Sequence, residues 1–177
     1  MARAKTYALN KNKYLLPPEK DRLEFILEQF LDRNLRDCLL LALALKTGAR
    51  ASELLLLEKD FINSYDKSLF IPGIKGSNDR ELPLNTRIFE ALQRHANQQE
   101  GFTLFPISYN RLRQIWQFYR PVHKKFHSLR HTFAIDLYKK TKDIRLVQFA
   151  LGHRNITNTM IYADYAYSQT ELRKLIL

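Results

Sequence analysis

The chain has 177 residues, of which 29 are Lys or Arg and 18 are Asp or Glu, for a formal net charge of +11, and 45% are hydrophobic. That length fits one ordinary domain and that apolar fraction supports a real core, which excludes a disordered basic tail. The longest apolar run, Cys38 to Leu45, falls far short of the ~20 residues that cross a bilayer, no apolar stretch follows the basic N-terminus to make a secretory signal, and a lone Cys38 excludes an internal disulfide and a Cys-pair zinc site.

Taken in chain order, Leu15-Leu16-Pro17-Pro18-Glu19 marks the start of a helix, since proline suits a first turn and an acid there complements the helix dipole. Its apolar positions Leu23, Ile26, Leu27, Phe30 and Leu31 recur at helical spacing and carry it to about Asp32. A second helix, Leu35 to Lys46, is apolar nearly all round and is predicted to be the central buried one, with Cys38 in its packing. Gly48 ends it, and Ala49 to Leu57 reads as a short further helix. Leu69–Ile71 and Glu81–Leu84 are extended runs on either side of Gly73, Gly76, Ser77, Asn78 and Asp79, the pattern of an antiparallel hairpin with a loose tip. Helical patterns then return at about 87–98, 108–119, 128–140, 144–151, 156–163 and from Ser168. The expected class is a mostly helical α+β domain with a small antiparallel sheet.

The positive charge is confined to two places. Residues 1–16 hold Arg3, Lys5, Lys11 and Lys13 with no acid, and residues 120–154 hold nine Lys and Arg against Asp136 and Asp143; every other residue cancels in sum. Four of the five histidines, His123, His127, His131 and His153, also fall in the second segment. Charge concentrated in this way is the footprint of a phosphate backbone or a solvated basic face. The expected compartment is the cytoplasm or a nucleoid within it, with no membrane partner.

Five stretches occur in a telling order: Thr47-Gly48-Ala49-Arg50-Ala51-Ser52-Glu53, Lys75-Gly76, His127-Ser128-Leu129-Arg130-His131, Leu151-Gly152-His153-Arg154-Asn155-Ile156, and Thr159-Met160-Ile161-Tyr162, whose tyrosine lies nine residues after His153. Together they resemble the tyrosine recombinases: phage integrases, Xer-type resolvases and the fimbrial inversion enzymes. The resemblance runs from Pro17 nearly to the C-terminus. It implies the DNA breaking-rejoining catalytic fold and a site-specific recombinase, with double-stranded DNA as partner and no cofactor.

Breaking a phosphodiester without a metal needs a nucleophile, cations around the phosphorus and an acid for the departing 5′ oxygen. A tyrosine hydroxyl, with reference pKa near 10, can attack phosphorus and store the bond as a phosphotyrosine ester. Arginine suits the non-bridging oxygens because its planar fork stays charged and donates two aligned hydrogen bonds. By resemblance, Arg50 and Arg130 clamp the scissile phosphate, with Glu53 able to buttress Arg50. His127 is the general base or a proton-relay partner, or else the N-terminal cap of its helix. His153 donates to the phosphate, aimed by a left-handed cap at Gly152. Lys75 protonates the leaving oxygen, and Tyr162 is the nucleophile, preferred to Tyr165 and Tyr167, which are read as core. His131 is read as a packing or hydrogen-bonding residue, and Arg80 as a contact to the DNA backbone.

Only sixteen residues precede Pro17, where most of the family carry a further helical DNA-clamping domain. The expectation is therefore a basic arm, 1–16, and a catalytic domain, 17–177, with no separate core-binding domain. The chain would be either an excised catalytic domain or a minimal recombinase, and Met1 favours the second. The apolar C-terminus, Leu172 to Leu177, packs on its own domain or, as in the family, docks on a neighbouring protomer of a tetramer assembled on paired sites. The rival readings are a type IB topoisomerase and a DNA-binding accessory protein without catalysis.

Overall fold

Burial of one apolar helix on all sides organises the molecule. The computed structural model describes residues 10–74, 76–163 and 169–177. In chain order the elements are α1 (Pro17–Phe30), α2 (Leu35–Thr47), α3 (Ala51–Leu54), a 3₁₀ turn (Lys59–Phe61), β1 (Ile62–Asn63), β2 (Ser68–Ile71), β3 (Arg80–Pro83), α4 (Thr86–Gln98), α5 (Tyr109–Tyr119), α6 (Ser128–Thr141), α7 (Ile144–Leu151), α8 (Thr157–Met160) and α9 (Gln169–Ile176). Helix α2 buries Cys38, Leu39, Leu40, Leu41, Leu43, Ala44 and Leu45, and it packs against α1, α4 and α6. No helix among the described residues is long and apolar enough to cross a membrane.

The three strands form one antiparallel sheet in the order β1-β2-β3, with Leu69 opposite Leu82 and Ile71 opposite Arg80. The expected hairpin is therefore present. The two-residue β1 was not foreseen, because a pair of residues is too short to show a period. Along β3, burial alternates, and Arg80 shares the inward face with Leu82.

Helix α6 joins two cores. Its Leu129 belongs to the main one, while Ala134 and Ile135 lie in a smaller cluster with Tyr14, Val147, Leu151 and Tyr162. The segment ahead of α1 is stitched to this region. The Leu15 amide donates to Thr132 Oγ1 at 2.8 Å, Lys124 Nζ donates to the Tyr14 carbonyl at 2.7 Å and also pairs with Glu19, and Lys20 pairs with Asp136 at 2.6 Å. The basic arm is described only from Asn10 onward, so most of it lies outside the described residues, as do Tyr165 and Tyr167. At the far end, Leu175, Ile176 and Leu177 are exposed, so intramolecular burial of this terminus is not seen.

Candidate active site

The site is built from the ends of helices, where the backbone leaves polar groups unmatched. Helix α2 terminates at Gly48 in the left-handed region (φ 62°), and its amide donates to the Ala44 carbonyl. A Cβ at Gly48 would lie 2.5 Å from the Phe133 ring, so only glycine fits. Two residues on, Arg50 caps α3. Glu53, in the first turn, reaches back to accept from the Arg50 amide at 2.8 Å and from Arg50 Nη1 at 2.9 Å. The buttress expected of Glu53 is thus present, while 31% of the Arg50 side chain remains accessible.

Glu53 has a second, wholly buried partner. Arg80 Nη2 donates to its Oε2 at 2.8 Å and Nη1 approaches Oε1 at 3.3 Å, both side chains being 0% exposed. Arg80 therefore cannot be the DNA-backbone contact that its hairpin position led us to expect. The alternation of β3 turns it inward, a signal readable from its spacing to Leu82. Burial alone would raise the Glu53 pKa, but the hydrogen bond and charge of Arg80, the Arg50 amide and the charge of Arg130 outweigh it and hold the carboxyl below its ordinary value.

Arg130, on the first turn of α6, spans two helix C-termini. Its Nη1 donates to the Gly48 carbonyl at 2.6 Å and its Nη2 to the Leu151 carbonyl at 2.7 Å, so a cation satisfies two terminal carbonyls and complements both dipoles. Glu53 Oε2 lies 4.0 Å from Nη1. Burial, then the charge of Arg50, presses the Arg130 pKa down to about 9, which leaves it charged at neutral pH.

The turn after α7 delivers His153 as expected. Gly152 is left-handed (φ 66°), its amide donates to the Phe149 carbonyl, and the His153 amide donates to the Gln148 carbonyl at 3.0 Å. His153 Nε2 lies 3.0 Å from Arg130 Nη2 and its Nδ1 lies 2.9 Å from Thr159 Oγ1. Loss of water, then the charges of Arg130, Arg50 and Arg80, pushes this imidazole to about 3, so it is neutral in the free protein.

His127 and Tyr162 gather around His131, the residue next to Arg130 on α6. Tyr162 is buried, and its hydroxyl lies 2.9 Å from His131 Nδ1. The hydrogen-bonding role foreseen for His131 is thus filled, with Tyr162 as the partner. His127 is the N-cap residue of α6, makes no side-chain cap bond and stands edge-on to His131 at a ring separation of 4.7 Å. Desolvation, followed by the charges of Arg130 and Arg50, lowers the His127 pKa; His131 is held at about 3 by burial and then by His127 and Arg130. Lys75 lies outside the described residues. The loop carrying it is tied to the site through Ser77, whose hydroxyl contacts Glu53 Oε1 at 3.3 Å.

Of the six residues singled out, Arg50, Arg130 and His153 therefore converge around Glu53, and His127 and Tyr162 meet through His131. Beside the histidines opens a cleft of about 900 Å³ whose rim includes Lys13, Arg113, Trp116, Arg120 and Lys125. Convergent cations beside a basic cleft can hold a phosphodiester and neutralise charge growing on it.

The sequence model of the Phage integrase family matches residues 19–169. A tyrosine recombinase, XerA, of Pyrococcus horikoshii is 32% identical in an alignment of 143 positions that covers 73% of this chain and 50% of that protein. The tyrosine recombinase XerC of Staphylococcus aureus is 30% identical, over 94% of this chain and 62% of its own length. The chain thus spans about half to three-fifths of these curated relatives. Among solved structures, XerH recombinase bound to a palindromic difH substrate in a post-cleavage complex superposes with a TM-score of 0.76 at 24% identity, over 94% of this chain and 54% of that one. The catalytic domain of bacteriophage HP1 integrase gives 0.66 at 24% identity, over 92% and 94%. These structural likenesses concern the fold.

Proposed function

The chain belongs to the phage integrase family, and from that premise we propose that it cuts and rejoins double-stranded DNA at specific sites through a 3′-phosphotyrosyl intermediate. Residues 17–177 form the catalytic unit. The observation that carries the reading is the Arg130 fork, held between two helix C-termini with His153 at 3.0 Å and with Arg50 fixed through the shared Glu53. Such preorganised donors supply the electrostatic stabilisation that phosphoryl transfer needs.

In this scheme Arg50, Arg130 and His153 hold the non-bridging oxygens. The Tyr162 oxygen attacks phosphorus and loses its proton toward His127 acting as base or relay, the bond to the 5′ oxygen breaks, and Lys75 supplies the proton to that leaving group. Rejoining is the same sequence reversed, so the bond energy is conserved and no nucleotide cofactor enters. Attack requires the Tyr162 hydroxyl to exchange its contact with His131 for the phosphate. The basic cleft and the arm through Lys13 take the duplex, and the exposed C-terminal Leu175, Ile176 and Leu177 dock on a neighbouring protomer in a tetramer on paired sites.

The test is covalent capture on a pool of nicked suicide duplexes with randomised cores. An adduct with the wild-type chain that is absent from Tyr162→Phe supports the reading. An adduct that survives that change overturns the assignment of the nucleophile, and no adduct from the wild type favours the accessory-protein alternative.

A further inference from the structure

Arg80 is an unusual cation. Its side chain is wholly buried, its two Nη atoms are spent on one carboxylate, and its Nε is buried without a hydrogen-bond partner among the described residues. A buried arginine with an unmatched donor is costly to keep, and burying an ion pair is seldom worth its desolvation for stability alone. The partner it serves, Glu53, also receives Arg50 and lies 4.0 Å from Arg130. Left with Arg50 alone, the Glu53 carboxylate would compete with a phosphate for both cations. In the low dielectric of this enclosure an unbalanced anion draws cations strongly.

We propose that Arg80 is a positioning residue for the phosphate clamp: it saturates Glu53 from the core side, so that Arg50 keeps its accessible donors for an anion and Arg130 stays on its two helix carbonyls rather than being drawn to the carboxylate. The same side chain also braces the turn that presents His153. A Cβ at Gly152 would come within 3.1 Å of Arg80 Nη1 and 2.6 Å of the Asn78 carbonyl, and the Asn78 amide donates to the Gly152 carbonyl at 2.9 Å. Through Glu53 and Gly152, one residue of β3 thus sets the positions of α3, α6 and the α7 turn. The inference rests on the clamp assigned above, but concerns its affinity for phosphate rather than the cutting of DNA.

The experiment titrates inorganic phosphate into the full chain and follows the His153 and Arg side-chain resonances by NMR, with thermal melts of each variant to establish folding. Arg80→Met is expected to weaken phosphate binding at least about tenfold, the effect of losing oriented charge from a preorganised site. Adding Glu53→Gln to it removes the competing charge while the amide oxygen can still accept from Arg50, and the double variant is expected to bind at least about threefold more tightly than Arg80→Met, a coupling that a mere loss of packing does not produce. The double variant also settles folding, since exchanging both members of a buried pair for neutral groups is tolerated where removing one is not. Binding by Arg80→Met equal to the wild type, no phosphate binding by the wild type, or a double variant as weak as the single one overturns the proposal. Because the probe is free phosphate, absence of DNA capture would sink the recombinase reading without touching this result.

Discussion

The residues proposed as the clamp and the pocket around Tyr162 meet on α6, at the adjacent Arg130 and His131, and are held in different ways. Arg130 is fixed by two backbone carbonyls, Arg50 by a carboxylate with a second buried cation behind it, and His153 by a left-handed glycine turn and Thr159. Tyr162 sits in the smaller core with Tyr14, Val147 and Leu151, and its hydroxyl contacts His131. In the proposed scheme the phosphate-binding half is therefore ordered in the free protein, while the attacking hydroxyl is engaged with His131. Preorganised charge spares reorganisation during reaction, whereas a nucleophile held in a small satellite core can be released at modest cost.

The sharpest way to separate the two halves is Tyr162→Phe. It should abolish covalent capture on nicked duplexes while DNA affinity, measured by mobility shift, changes little; a large loss of affinity would tie the pocket to binding. Arg130→Lys acts on the other half. Lysine cannot bridge the Gly48 and Leu151 carbonyls and contact His153 at once, so capture should fall about 10²–10³-fold, as for removal of one preorganised donor. Gly152→Ala tests the turn that links them: a left-handed φ and a Cβ 2.6 Å from the Asn78 carbonyl should cost about 1–3 kcal/mol in denaturant unfolding. An unchanged midpoint would show that the turn is not rigid.

Acid should weaken both halves in the same direction. His131 and His153 stand at about 3, against an unfolded value near 6.5. The unfolded chain therefore binds more protons as pH falls, and stability present above about pH 6.5 drains away toward pH 3. Glu53, also depressed, adds to the loss once the pH falls through its ordinary value of 4.5 and below. Melting temperature should drop steadily from pH 7 to pH 5, and a flat profile would mean that the imidazoles are not held neutral. The smallest effect is expected at the Tyr162 hydroxyl. His131→Phe deletes one hydrogen bond, about 1 kcal/mol or ~2–4 °C in melting temperature for a chain of this length.

Helices with strong periodicity were legible from the amino-acid sequence: α7 has its predicted bounds, and α1 and α2 end within a residue or two of expectation. Arg50, Arg130 and His153 could be placed together because their motifs resemble those of a known family, and local pattern added the Glu53 buttress of Arg50 and the glycine turn before His153. Arg80 was misread for the opposite reason. The spacing to Leu82 could have turned it inward, but its partner, Glu53, lies 27 residues away on α3, and only the packing of the sheet against that helix brings the two together. The contact between His131 and Tyr162 spans 31 residues and was equally out of reach of local pattern. What adjacent residues settle between themselves is readable; what depends on how two distant segments pack is not.

Thr132 has a mechanical consequence. Its hydroxyl donates to the Ser128 carbonyl inside α6 while accepting the amide of Leu15. The chain ahead of α1 is thus riveted to the helix that bears Arg130, one turn from its start. A pull on the chain at Leu15 would load α6 through Thr132 as well as through the Lys20–Asp136 pair, so the start of α1 and the Arg130-bearing helix move as one lever.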